Sequence, residues 1–378
     1  MGNAKQNYYI PLILKVGART IEAGLAGQPE SKVKINTNSE ILNLKIHNTN
    51  SFDKSSRYSI ASNSVNEADI KQLRCSSNFE SVQDVYQRDC FSYQWLYSLD
   101  SLYYNNNSSI PLNSFEYNVK KILYRIIYEV IENQLGIEPR YTKIILVKND
   151  LFPTNINKIL NDLLIMDFKV NSVTFLQESI CNCIASGIKT AIVIDIGWEM
   201  TVITPIFDLR VLQSFIKTTK RASSDVHYKI IENLQQQNNG ENTNLSTEFN
   251  NIENLIKKRG TGNIKVDEIV EEVIVPKKSD IYDDDIDEKT IVELVSKLIQ
   301  ELPIDLRAPL SNNIITTGGL AKYPGLKLKL IHKINSVCKL KGNLLNTLGS
   351  WTGASIYTNS ILLKDSNIEI QSTVSENY

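Results

Sequence analysis

Residues 190–206 read TAIVIDIGWEMTVITPI. Ala191 to Ile194 is a short apolar run rich in β-branched residues, which favours a buried strand over a helix. Asp195 and Gly197 break the run, and Met200 to Ile206 begins a second apolar segment, so the stretch reads as strand, tight turn and returning strand. Glycine admits dihedrals that other residues avoid, so a strand ending in a carboxylate and a glycine brings backbone N–H groups close to a phosphate. An ordinary hairpin with a turn aspartate has the same appearance.

A second copy of the pattern tells the two apart. Leu12 to Gly27, LILKVGARTIEAGLAG, is again an apolar strand, a glycine at Gly17, a turn of small residues and a returning strand. Gly17 and Gly197 lie 180 residues apart. Two such units imply two similar half-molecules with a cleft between their turns.

Composition bounds the rest. A chain of 378 residues can bury two substantial cores. Its formal net charge of -1 gives no general attraction to nucleic acid or an anionic membrane. The five cysteines (Cys75, Cys90, Cys181, Cys183 and Cys338) are scattered without structural-zinc spacing and read as reduced intracellular thiols. No run reaches the roughly 18 apolar residues of a membrane helix, and MGNAKQNYYIPL has no long apolar core of a signal peptide. The expectation is a soluble, intracellular protein. His47, His227 and His332 are far apart and lie in no nucleophile motif, so each reads as a surface or satisfied structural histidine.

Along the chain, a polar stretch runs from about Gln28 to Glu116, with a strand candidate at Ile41 to Ile46 and an aromatic-rich span at Tyr86 to Tyr104 that fits core or a partner contact. Apolar residues at helical spacing predict a helix from Ser114 to Leu135, stopped by Gly136. Lys143 to Val147 (strand), Thr154 to Met166 (helix), Val170 to Leu176 (strand) and Glu178 to Gly187 (helix) follow, an alternation that implies a mostly parallel sheet. Ser223 to Gln235 reads as helix, Gln235 to Ser246 as a polar linker, Asn250 to Lys258 as helix and Lys265 to Val275 as strand. The acidic run at Tyr282 to Lys289 lacks the spacing of a calcium loop and leads into a helix at Thr290 to Leu302. A strand at Asn313 to Thr317, a turn at Gly318-Gly319, helices at Gly325 to Val337 and Trp351 to Leu362, and a loose polar tail complete it.

These residues resemble a family. LILKVGARTIEAGLAG, AIVIDIGWEMTVITPI, ITTGGLAKYPGL and GSWTGASI stand in the order and spacing of the first phosphate loop, second phosphate loop, adenosine-side glycine loop and closing helix of actin, and KIILVKNDLFPTNINKILNDLLIMDF is similar to the strand and helix between its phosphate loops. The resemblance covers nearly the whole length. It implies an α/β, actin-like fold: two ribonuclease-H-like domains around a central nucleotide cleft, as in actin, Hsp70 and sugar kinases. The halves would be 1–187, with an outer subdomain at about 31–85, and 188–350, with one at about 223–275; 351–378 would return to the first half.

The resemblance places Gly17, Ala18, Arg19, Asp195, Gly197, Gly318 and Gly319 at the nucleotide. Several positions depart from the family. Lys15 replaces an aspartate that holds the metal's water shell, and Glu22 replaces a lysine that reaches the phosphates. Glu178 stands where a glutamine orients the attacking water, and Trp198 and Glu199 crowd the second loop. Glu253 and Asn254 occupy the places of a nucleoside lysine and glutamate, and Thr347 that of another lysine. A carboxylate aimed at phosphate oxygens is repulsive, most of all where the dielectric is low. The swapped charges predict that Lys15 and Glu22 pair with each other.

The expectation is therefore an actin-related protein that keeps the fold and loses hydrolysis, with no catalytic residues and no metal; ATP or ADP could bind without turnover. LIQELPIDLRAPLSNNIITTGG is most similar to the pointed-end actin-related subunit of dynactin. That resemblance implies capping of a short filament built from another actin-related protein, contacts to other dynactin subunits and through them to dynein and microtubules, and a role in spindle and nuclear positioning in the cytoplasm and cytoskeleton, with no nucleic acid or membrane partner. The alternatives are an actin-related subunit of a nuclear chromatin-remodelling complex and an actin-like ATPase with residual nucleotide binding.

Overall fold

The computed structural model describes residues 9–36, 120, 123–151, 154–237, 249–259, 265–276 and 289–362. Among them, residues up to Glu178 and from Ala354 onward make one compact unit, and Ser179–Gly353 make the other.

The first unit is built on a five-stranded sheet in the order β3-β2-β1-β4-β5. Its strands are β1 (Ile10–Val16), β2 (Thr20–Leu25), β3 (Val33–Asn36), β4 (Thr142–Lys148) and β5 (Ser172–Gln177). β1, β2 and β3 are successive antiparallel neighbours, and β4 and β5 add in parallel on the other side of β1. Parallel strands need crossover helices. The first, α1 (123–134), is α-helical to 128 and continues as a π turn over Glu129–Gln134. The second, α2 (Thr154–Asp162), ends in a π turn over Leu163–Asp167. Leu12, Leu14, Ile144 and Leu146 on one face of the sheet pack with Ile127, Val130 and Ile131 of α1 and Ile156 and Leu160 of α2. Each such side chain, fully buried, contributes roughly 1.5–3 kcal/mol.

The second unit repeats the plan. Its six-stranded sheet runs β11-β10-β6-β7-β8, with β9 also on β7. The strands are β6 (Ala191–Ile196), β7 (Thr201–Phe207), β8 (Arg210–Val211), β9 (Lys217–Thr219), β10 (Asn313–Gly318) and β11 (Asn343–Leu345). A hairpin carries an antiparallel neighbour on one side and two parallel strands on the other, as in the first unit. The helices are α3 (Glu178–Ala185), whose first residue still belongs to the first unit, α4 (Ser223–Gln237), α5 (Phe249–Lys257), α6 (Val266–Ile274), α7 (Ile291–Glu301), α8 (Ile304–Ser311), α9 (Leu326–Cys338) and α10 (Ser350–Tyr357), which runs on into the first unit.

One element differs from the sequence reading. Lys265 to Val275, expected as a strand, is the helix α6. Val266, Ile269, Val270, Val273 and Ile274 are its buried residues, and their spacing of three and four makes a single helical stripe. Period outweighs β-branched composition here. α8 and the short strands β3, β8, β9 and β11 are additions, and α8 carries Pro309 inside it. Arg307 holds α8 to the end of α7 by donating from Nε to the Leu302 carbonyl at 2.8 Å and from a terminal nitrogen to the Gln300 carbonyl at 2.7 Å.

The strand expected at Ile41 to Ile46, the aromatic span Tyr86 to Tyr104, nearly all of the 31–85 subdomain, most of the Gln235 to Ser246 linker and of the acidic run, and the tail beyond 362 lie outside the described residues. Among the described residues no helix is long and apolar enough to cross a membrane.

Candidate functional site

The two hairpin turns are geometric copies. In the first unit Val16 faces Ile21 and the turn spans residues 17–20; in the second Ile196 faces Thr201 and the turn spans 197–200. Each is closed by its glycine: Gly17 N–H donates to the Thr20 carbonyl at 2.9 Å, and Gly197 N–H to the Met200 carbonyl at 3.1 Å. A Cβ on Gly197 would lie 2.7 Å from the Met200 oxygen, so that turn needs glycine. The copies align Lys15 with Asp195, Ala18 with Trp198 and Arg19 with Glu199. One half-site ends its first strand in a cation and the other in an anion.

In the first unit, Lys15 lies near the end of β1, and Glu178 follows the last residue of β5, so both stand at the C-terminal edge of the parallel strands. Ligands of open α/β sheets bind at this edge. Here the Lys15 ammonium meets Glu178 Oε1 at 2.5 Å, with side chains 21% and 14% exposed. Glu22 lies opposite Lys15 in the hairpin register, but its Oε1 accepts from Lys34 at 2.5 Å across β2 and β3, where Glu22 and Lys34 are register partners. Arg19 is buried in the turn and Ala18 is half-buried.

In the second unit, the Gly197 carbonyl accepts from Ser223 N–H at 3.1 Å and the Trp198 carbonyl from Ser224 N–H at 2.9 Å. The first N–H groups of a helix form a ready anion site, and these two from α4 are taken up by the turn. Trp198 is buried and packs edge-on against His227, with ring centroids 4.8 Å apart and an interplanar angle of 76°. His227, 1% exposed, stands with Nε2 3.1 Å from Glu253 Oε1 on α5. Two of the departing positions, Trp198 and Glu253, thus meet through one histidine. Asn254 beside them is exposed, and Glu199 and Asp195 are half-buried.

The remaining positions are explained by packing. Gly318, at φ +102°, abuts the end of β6: a Cβ there would collide with the Ile196 carbonyl and lie 2.8 Å from Asp195 Oδ1. Gly319 has open space around its Cβ position. Thr347 Oγ1 donates to the Asn182 carbonyl at 3.1 Å. After the glycine turn, Tyr323 donates its hydroxyl to Asp267 Oδ1 of α6 at 2.5 Å. Burial, then that bond to a carboxylate, hold the phenol well above its ordinary range. The structure thus brings together Lys15 with Glu178, Trp198 with Glu253, and Gly318 with Asp195. Lys34 bonds Glu22 and His227 links Trp198 to Glu253, yet nothing in sequence periodicity distinguishes these two residues; only the strand register and the packing of α4 on α5 do.

A metal and nucleotide phosphates need open carboxylate oxygens and donors at these turns. The carboxylate at the first edge carries Lys15, and the α4 N–H groups beside the second turn bond its carbonyls. The residues present do not fit that pair of ligands. Among the described residues no cluster of three or more His, Cys, Asp or Glu side chains is placed to hold a metal ion.

Comparison with known proteins agrees with this architecture. A model of the family described as Actin matches residues 118–284. Actin-like protein ARP10 of Saccharomyces cerevisiae is 30% identical over 172 residues, which is 45% of this chain and 49% of that protein. Actin-related protein 4 of Kluyveromyces lactis is 38% identical over 74 residues, 18% of this chain and 14% of that protein. Its Saccharomyces cerevisiae counterpart is 36% identical over 76 residues, 18% and 16% of the two chains. The chain spans about half the length of the first of these and less of the others. The fold is actin-like, and the chain is similar to actin-related proteins, to ARP10 over the longest of the three stretches.

Proposed function

We propose that this chain is a non-catalytic actin-related protein, a structural subunit of the dynactin pointed-end complex that caps a short actin-related filament and supports dynein-dependent spindle and nuclear positioning. The observation that carries the loss of catalysis is the Lys15–Glu178 ion pair at the strand edge where an actin-like ATPase needs a metal-holding carboxylate and a water-orienting amide. A lysine there repels a divalent cation. The similarity to ARP10 over 172 residues supports the choice among actin-related proteins. In this reading one face of the chain matches the terminal filament subunit, and growth stops there. Its partners in this reading are a filament-forming actin-related protein and other dynactin subunits, and its place is the cytoplasm.

The test is polymerisation. The purified chain, viewed by electron microscopy under conditions in which actin polymerises, is expected to stay unassembled and, added to filaments of its partner actin-related protein, to stop growth at one end. Ordered polymers of the chain alone, or unaltered growth at both ends, contradict the proposal.

A further inference from the structure

The actin-like fold implies a divalent metal and a nucleotide, and the described residues fit neither. We propose that each half-site is liganded by the protein itself: the Lys15–Glu178 pair fills the cation and phosphate position of the first unit, and the Trp198–His227–Glu253 cluster fills the nucleoside side of the second. The folded chain therefore takes no stability from Mg-ATP. This rests on the actin-like reading above and is separable from the capping role.

The chemistry of each position supports the assignment. A hard divalent cation binds through oxygens, and the Glu178 oxygen at the first strand edge carries an ammonium at 2.5 Å. A metal would have to displace Lys15 and stand beside its charge. A phosphate would meet two carboxylates, Glu22 and Glu178, each already matched to one lysine. In the second unit, the turn's glycine N–H closes its own turn and the first N–H groups of α4 bond the turn's carbonyls. The Glu253 carboxylate, on the helix expected to carry nucleoside contacts, faces His227, and Trp198 packs edge-on against that imidazole. Where a ligand-binding relative leaves charge to be met by nucleotide and metal, Glu22, Glu178 and Glu253 each have a basic side chain of their own unit beside them.

The experiment is thermal unfolding of the full chain, with and without millimolar Mg-ATP, on the wild type, Lys15→Glu, Glu178→Lys and the double charge swap. The wild-type Tm is expected to be unchanged by Mg-ATP and by EDTA. Each single variant places two like charges at the strand edge and is expected to lower Tm by roughly 5 °C or more; the swap is expected to recover most of that loss. A ligand that binds the folded state in excess of its Kd must raise Tm. A rise of several degrees in the wild type with Mg-ATP overturns the proposal, as does a double variant no more stable than the weaker single one. Should the single variants fail to fold, the wild-type titration decides alone. Nucleotide binding found there leaves partner recovery intact, and failure to cap leaves the ion-pair result intact.

Discussion

Lys15 shows what one residue can change. Set at the same turn position as Asp195 in the other unit, it places a cation where its counterpart is an anion. Its charge reversal is plain in the sequence, but its partner is not, because Glu22 is nearest in the hairpin and Glu178 is 163 residues away in the chain. Only the parallel register of β1, β4 and β5 brings Glu178 to it. Elsewhere a lysine acts on a carboxylate whose effect is measurable. Lys217 of β9 bonds Glu301 at the end of α7, and that hydrogen bond holds the Glu301 carboxyl below its ordinary range. A carboxyl depressed by folding adds stability above its unfolded pKa, and the increment is lost as pH falls through the folded value. Chemical denaturation at a series of pH values is expected to show Lys217→Ala less stable than wild type near neutrality, with the difference closing in acid. A difference independent of pH would mean that Lys217 acts by packing alone.

At the scale of elements, both hairpins, β4, β5, β10 and most helices were legible, because strands in a doubly covered sheet are continuous apolar runs and helices repeat near 3.6. α6 was misread for a definite reason. Its residues Val266, Ile269, Val270, Val273 and Ile274 are β-branched, yet their spacing is helical, and the stripe is buried. Val270→Pro should cost about 3 kcal/mol or more by removing a mid-helix hydrogen bond, read as a lower urea midpoint. α7 supplies a milder comparison. Thr290 and Glu293 form a complete capping box, with Glu293 N–H on Thr290 Oγ1 at 3.2 Å and Thr290 N–H on Glu293 Oε2 at 3.1 Å. Thr290→Ala is expected to lower stability by about 1 kcal/mol, read as a lower urea midpoint at unchanged slope. A Thr290→Ala protein as stable as wild type would show that the box contributes nothing.

For the whole molecule, the repeat was the most informative feature of the sequence. Two strand-glycine-strand segments 180 residues apart foretold two sheets, and each sheet carries its hairpin between an antiparallel neighbour and two parallel strands. Duplication also makes the losses readable, since each turn serves as the reference for the other. The Lys15–Glu178 and His227–Glu253 pairings were not legible, because they depend on strand register and helix packing rather than on local pattern. The central claim is that this actin-like chain works as an assembly subunit. Affinity purification of the tagged chain from its own cells, with the co-purifying proteins identified, tests it most directly. The account predicts recovery of a filament-forming actin-related protein together with dynactin subunits. Recovery of a Snf2-type remodelling ATPase in their place would contradict it.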